Sequence, residues 1–474
     1  MLQSRYNVDA ESMSALASAS ATAASTAVAS DAGASAATAA GATAADEITA
    51  TAATAGDART VCHGCGERFA SRSAVFRHLR LTGCGGAAPE RVERFVVVYA
   101  YDGRGFHGSQ WNGAASERRF PTAEGRLAEA VRVASVARHG AEACDVAVSS
   151  RASRTDRGVH AYGNVCFLTS TLRFAAGAPP FVEAVDEAAL LAAINAAAVG
   201  VAAVRCYAVD AAVDLRRECF RRDYAYFLDY ASMYTPRERA LAAAADEDRE
   251  VWVGGLPAGS DGALRRLVAA AAPDADVAFG DEGATVSLAD AAAARRLRAA
   301  LDGATLPGAH VPLMPLPASL AEARRGVHAR LRPALRDVSC PACKPKSYHN
   351  FTDARVSAGD PRAVRCVDRF ATKLSSATYC VVDVAGASFL YRQILSMIGL
   401  VVEVAGERRP LADVAAAFKK EAVAVPVADA DRLVLRSCAF RRGAARTFGA
   451  SDAPPDASAA ARRRIERAVT DTFR

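Results

Sequence analysis

Ser149–Phe167 reads SSRASRTDRGVHAYGNVCF. One carboxylate, Asp156, sits among Arg151, Arg154 and Arg157, followed by a glycine turn and a strand-like run, Asn164–Thr169. A carboxylate in so basic a setting is expected to hold a low pKa and stay ionised. That state suits a nucleophile and not a general acid. A salt-bridged loop aspartate fits the same residues, so the segment alone leaves both readings open.

Working outward, Arg94–Tyr101 (RFVVVYAY) reads as a strand ending at the turn pair Asp102-Gly103. Thr122–Val136 reads as a helix, and Tyr224–Asp229, Thr378–Val384 and Leu433–Cys438 as strands. In the apolar stretch Phe389–Val404, Leu390, Ile394, Met397, Ile398 and Val401 fall at helical spacing. Strands alternating with helices, with hairpin-like neighbours, predict an α+β fold. Residues 236–337 are rich in Ala, Arg, Asp and Gly, with prolines clustered at 307–317, and read as an insertion with some helix and much loop.

The chain has 474 residues, enough for two or three domains. Hydrophobic residues make up 51%, which excludes a wholly disordered chain, and no long uncharged apolar run suggests a membrane span. The net charge of +6 conceals an uneven distribution. Residues 1–58 carry one base and six acids around an Ala/Ser/Thr tract and are expected to be a disordered tail. Residues 451–474 are expected to form a C-terminal tail. Arg outnumbers Lys by 53 to 5, a preference that suits phosphate recognition but equally follows from a GC-rich coding sequence. Neither a transit peptide nor a signal peptide is evident, so an intracellular location is expected, nucleus or cytoplasm before mitochondrion. Twelve cysteines without a secretion signal argue for thiols or metal sites over disulfides.

Residues 59–87 contain the best metal pattern, CHGCGERFASRSAVFRHLRLTGC. Cys62, Cys65, His78 and Cys84 can close a tetrahedral zinc site, the first pair on a β-knuckle and the second at a helix end. Phe69 and Val75 would form the small apolar core, and metal binding would drive folding. Arg68, Arg72, Arg77 and Arg80 give the helix a basic face, which serves RNA contact, protein contact or simple solvation equally well. Cys340 and Cys343 lack a second pair and read as loop thiols.

The octapeptide Arg154-Thr155-Asp156-Arg157-Gly158-Val159-His160-Ala161 resembles the R-T-D-x-G-V-H-A signature of the TruA-type tRNA pseudouridine synthases. Further blocks carry the same resemblance in the family's order. They are Tyr101-Asp102-Gly103 with Phe106-His107-Gly108, Cys219 to Tyr226 as C-x-x-R-x-Y-x-Y, His349-Asn350-Phe351-Thr352, and Gly386-Ala387-Ser388-Phe389 leading into an apolar helix. The later blocks look closest to the eukaryotic branch.

The resemblance implies two related α/β halves, 92–215 and 216–450, sharing a long antiparallel sheet with a central RNA-binding cleft. It implies an isomerase acting on RNA, tRNA foremost, with no catalytic cofactor and no membrane partner, and leaves the oligomeric state open. Asp156 would be the nucleophile. Tyr224 would pack on the uracil and assist proton removal at C5, and Arg154 would contact RNA near the vacated base. One position departs: Leu395 stands where the family has an arginine paired with the catalytic aspartate. Arg392, three residues earlier, is the candidate substitute on the same helix face. The alternative implied by that departure is a catalytically silent RNA-binding or assembly protein.

Overall fold

The computed structural model describes residues 60–441, apart from 63–64, 83–89, 175–180, 184–185, 210–211, 281–282, 308, 310–311, 341–343, 354 and 377. The expected tails at 1–58 and 451–474, and with them Cys84 and Cys343, lie outside the described residues.

The described residues begin with the hairpin β1 (Thr60–Cys62) and β2 (Arg68–Phe69), followed by helix α1 (Arg72–Thr82). Then come β3 (Glu90–Tyr101), α2 (Ala123–His139), β4 (Ala143–Arg151) and β5 (His160–Arg173). The short β6 (Phe181–Glu183), α3 (Glu187–Ala197), β7 (Val201–Ala208) and β8 (Cys219–Asp229) follow. Local sequence sets these limits. Thr122 accepts a hydrogen bond from the Gly125 amide and starts α2, and Gly140, at φ 63°, ends it. Asp186 caps α3 by accepting from the Ala188 and Ala189 amides.

Residues 246–318 form a compact unit of their own. It holds β9 (Glu250–Gly254), α4 (Asp261–Ala271), β10 (Asp276–Gly280), β11 (Gly283–Ser287), α5 (Ala291–Leu301) and β12 (Met314–Pro317). The four strands pair in the order β10-β11-β9-β12, and Val251, Val253, Leu264, Val268, Val286 and Leu297 form its core. The expectation of much loop here is therefore corrected. Short β-branched runs such as Val251–Val253 are easily missed against an Ala-rich background, because two inward valines suffice to pack a small sheet on two helices.

The main body continues with α6 (Ala318–Val338), the small pair β13 (Lys346–Ser347) and β14 (Val364–Arg365), β15 (Val367–Ser375), β16 (Tyr379–Gly386), α7 (Gln393–Ala405) and β17 (Leu433–Phe440). Eight strands make one sheet in the order β15-β16-β8-β17-β5-β3-β7, with β4 also pairing with β5. The fold is mixed α+β, as expected. All its strand pairs are antiparallel except the central one, where Val434 and Leu435 of β17 run parallel to His160 and Ala161 of β5. The expected uniformly antiparallel sheet is corrected at that join.

The core lies under this sheet, where Phe95, Tyr99, Tyr101, Leu127, Leu168, Ile194, Tyr226, Val327, Leu331, Met397 and Val401 are buried. Eleven of the thirteen residues of α7 are buried, which accounts for its nearly unbroken apolar sequence. Leu390 precedes the helix and does not continue its stripe. Cys340 is a free thiol in the loop after α6, as expected, but it is buried against Tyr348. Among the described residues no helix is long and apolar enough to cross a membrane.

Candidate functional site

Asp156 lies on the loop between β4 and β5. Three neighbouring segments fix this loop. The Tyr101 hydroxyl and the Thr155 hydroxyl are 2.7 Å apart, and the Thr155 amide donates to Ser109 Oγ at 2.9 Å. Asn164 Nδ2 donates to the Ser153 carbonyl at 3.1 Å. His160 is fully buried. The Gly103 amide can only donate and the Asp431 carbonyl can only accept. His160 Nε2 therefore donates to Asp431 (2.7 Å), while its Nδ1 lies 3.1 Å from the Gly103 amide and 3.2 Å from Asp102 Oδ1, pinning the loop to both segments. Gly103 is required here, since a Cβ would meet the Val159 carbonyl oxygen at 2.2 Å.

The second wall comes from β8 and from the turn before α7. Tyr224 Oη is 3.0 Å from Ser153 Oγ, and its ring meets Phe389 edge-on at 5.5 Å. Burial pushes the Tyr224 phenol well above its ordinary value, so it stays protonated. It can stack and donate, but it is not an ionised base. Arg222, two residues earlier and buried, ties both walls together. It donates to the carbonyls of Ala152, Cys219 and Ala387.

The third part is the segment His349–Thr352, a short helical turn. Asn350 Nδ2 donates to the carbonyls of Ala417 (3.1 Å) and Glu421 (2.9 Å), and Phe351 packs on Tyr348 and Phe418. The Thr352 hydroxyl donates to the Tyr391 carbonyl at 2.8 Å, and Arg392 Nη1 reaches Asp353 at 2.9 Å. These two contacts fasten the turn to the start of α7.

The electrostatics of Asp156 correct the expected low pKa. Burial raises it, the Arg392 amide and guanidinium lower it, Asp353 raises it, and the net displacement is upward. The nearby arginines do not supply the compensation. Arg151 is committed to the buried Glu124 at 2.7 Å, and Arg154 and Arg157 are solvent-exposed. Proximity in sequence is not proximity of charge: Arg151 and Arg154 both act on Glu124.

Arg392 also differs from its expected position. It is not a helical residue one turn behind Leu395 but the residue capping α7, with φ 57° and ψ 7°. Its backbone amide and its charge both act to lower the Asp156 pKa, while its side chain pairs with Asp353. Leu395 is buried in the core. The sequence reading missed Asp353, although it directly follows Thr352, and gave Arg222 only as part of a motif. A left-handed arginine carries no sequence signal.

In the finger region the ligand atoms of Cys62, Cys65 and His78 lie within 4.8 Å of one another. Cys65 Sγ is 3.2 Å from His78 Nε2. Two such ligands on a tetrahedral zinc would stand about 3.5 Å apart. The Gly66 amide donates to the Cys62 carbonyl at 2.8 Å with φ 75°, forming the knuckle turn, and Val75 is fully buried. These three residues form a cluster that could hold a metal ion.

Residues 346–441 match the family model for tRNA pseudouridine synthase. The matched segment holds His349–Thr352, Asp353, the Arg392 turn, Leu395 and β15 to β17, but not Asp156, Arg154 or Tyr224. No curated protein matches the chain.

Proposed function

We propose that the chain is an RNA pseudouridine synthase with tRNA as its foremost substrate, an isomerase in which Asp156 is the nucleophile. The carrying observation is the convergence of Asp156 and Tyr224 on the turn at Arg392, which lies in the segment matching the synthase family. The strands on either side of the β17–β5 join are read as the family's two halves. In this reaction the N1–C1′ bond breaks, the freed uracil turns, and a C5–C1′ bond forms. The C5 proton is lost and N1 gains one. Reaching a uridine in folded RNA requires flipping it from its stack. Tyr224 packs on the base and donates through the Ser153 contact, while exposed Arg154 serves the phosphates or the vacated base position.

The test is a map of pseudouridines in RNA from cells with the wild-type gene, a deletion, and Asp156→Ala. Sites lost in both altered strains support an enzyme. An unchanged map, with a growth defect that Asp156→Ala rescues, sinks this reading. That outcome favours the silent RNA-binding protein, for which Leu395 in place of an arginine and the raised Asp156 pKa both speak.

We further read the finger as a structural zinc site, closed by Cys84 and adding an RNA or protein contact. Cys65→Ser or chelation is expected to release about one zinc per chain, measured by mass spectrometry of metal content. Metal-free wild-type protein would refute it.

The role of Arg392 divides between its amide and its side chain. Arg392→Gly keeps the amide and relieves the positive φ, so turnover is expected to stay within about tenfold of wild type if the amide is what matters. Arg392→Pro removes the donor and forbids φ 57°, and is expected to abolish turnover. Equal loss in both variants would assign the role to the guanidinium instead.

A further inference from the structure

Residues 246–318 run strand, helix, strand, strand, helix, strand, from β9 through α4, β10, β11 and α5 to β12. Their sheet, ordered β10-β11-β9-β12, is antiparallel throughout. This is a split βαβ arrangement, with both helices on one face of the sheet. Val251, Val253 and Val286 point to that face and pack on Leu264, Val268 and Leu297. Alternation sends the residues between them to the other face, which neither helix covers.

Register arranges that second face in rows. Asp276, Ser287 and Glu250 stand side by side across three strands, and Ala278, Thr285, Trp252 and Leu316 follow across all four. The indole of Trp252 lies along the sheet over two glycines. A Cβ on Gly254 would meet its Cη2 at 2.4 Å, and a Cβ on Gly283 its Cε2 at 3.0 Å. Both glycines are buried, while Trp252 itself stays part exposed. Leu316 is buried at the β12 side, whereas Asp276, Ala278 and Gly280 are exposed, so the face is open towards β10.

The charge on this shelf is one-sided. Glu250 and Asp276 are exposed, and neither is ion-paired among the described residues. Glu250 accepts a hydrogen bond from the Ser287 hydroxyl at 3.2 Å. No arginine or lysine stands in either row, and Arg265, Arg266 and Arg298 belong to the helices. Residues 246–318 as a whole hold eleven acids against six arginines, in a chain whose net charge is +6.

We propose that this shelf docks an arginine-bearing segment of a partner protein. One guanidinium lies on the Trp252 indole, and Glu250 and Asp276 receive the segment's remaining positive charge. A guanidinium is planar and weakly hydrated, so it stacks on an aromatic face and still forks to a carboxylate. A nucleobase would stack on the same ring, but its phosphates would meet two carboxylates with no cation beside them. Charge therefore favours the basic protein segment. This inference does not rest on the isomerase reading.

The test uses the full chain and calorimetric titration with a capped peptide of alternating glycine and arginine. The wild type is expected to bind it, and to bind the lysine counterpart several-fold more weakly. Trp252→Leu is expected to weaken the arginine peptide about tenfold. Glu250→Gln combined with Asp276→Asn is expected to weaken it about fivefold. Both carboxylates are exposed, so this pair keeps the test alive if Trp252→Leu fails to fold. No binding by the wild type, or an affinity unchanged in either folded variant, overturns the site. Equal binding of the lysine peptide overturns the stacked guanidinium. A single-stranded oligouridylate is titrated in parallel. Binding that is lost in Trp252→Leu and tightened by removing the carboxylates overturns the protein partner and assigns the ring to an RNA base.

Discussion

Asp156→Asn is expected to lower turnover by about 10³-fold or more and to raise the melting temperature at neutral pH. Both effects come from one circumstance: Asp156, the proposed nucleophile, is half-buried and, among the described residues, has no side chain paired with it as a counter-ion. Burial lifts the Asp156 pKa, and the Arg392 amide and guanidinium offset this only in part. A carboxyl whose folded pKa is raised contributes its stability below the unfolded value and loses it as pH rises through the folded value. At neutral pH the ionised Asp156 therefore works against folding. Asparagine keeps the shape and removes the charge.

The melting-temperature gain should shrink as pH falls towards the carboxylate range, where Asp156 is protonated in both states. Scanning calorimetry of the two proteins across pH reads this directly. The same displacement is expected to move the acid limb of kcat/KM upward from the ordinary aspartate value, if the ionised form is the one that attacks. Persisting turnover in Asp156→Asn removes the residue from the reaction. A melting temperature at or below wild type at neutral pH removes the argument from burial.

The strands were readable wherever apolar and aromatic residues stand close together, as in Arg94–Tyr101 and Tyr224–Asp229, though each strand extends further than its apolar core. Ladder hydrogen bonds continue through charged residues such as Glu90 and Arg221, which composition alone would not assign to a strand. The insertion at 246–318 was misread because its sheet is built from very few inward residues. At the site, the identities of Asp156 and Tyr224 came from motif, but their electrostatics did not. Asp353 and the capping role of Arg392 depend on a backbone turn brought beside another loop by the fold. No local pattern encodes that meeting.

The second large effect concerns Arg222, whose side chain bridges the loop of Asp156 and the turn before α7. Its guanidinium donates to the Ala152 carbonyl, which opens the Asp156 loop, and to the Ala387 carbonyl, which lies in the turn leading to Arg392. A third bond holds the Cys219 carbonyl at 3.1 Å. Arg222→Met fills a similar volume but strands three buried acceptors. At about 1–3 kcal/mol for each unsatisfied group, partly relieved by water, the expected loss is about 3–5 kcal/mol. Arg222→Lys separates stability from positioning. A single ammonium can satisfy one or two of these carbonyls but cannot hold the fork that fixes both segments at once. It is expected to recover much of the stability and still lose about 10²-fold in kcat, the effect of displacing reacting groups by about an ångström. Denaturant unfolding and single-turnover kinetics below the melting transition distinguish the two losses. Wild-type turnover in Arg222→Lys would mean that the two walls of the cleft hold their spacing without this bridge, and the placement of Asp156 against the Arg392 amide would then have to rest on the Thr352 and Asp353 contacts alone.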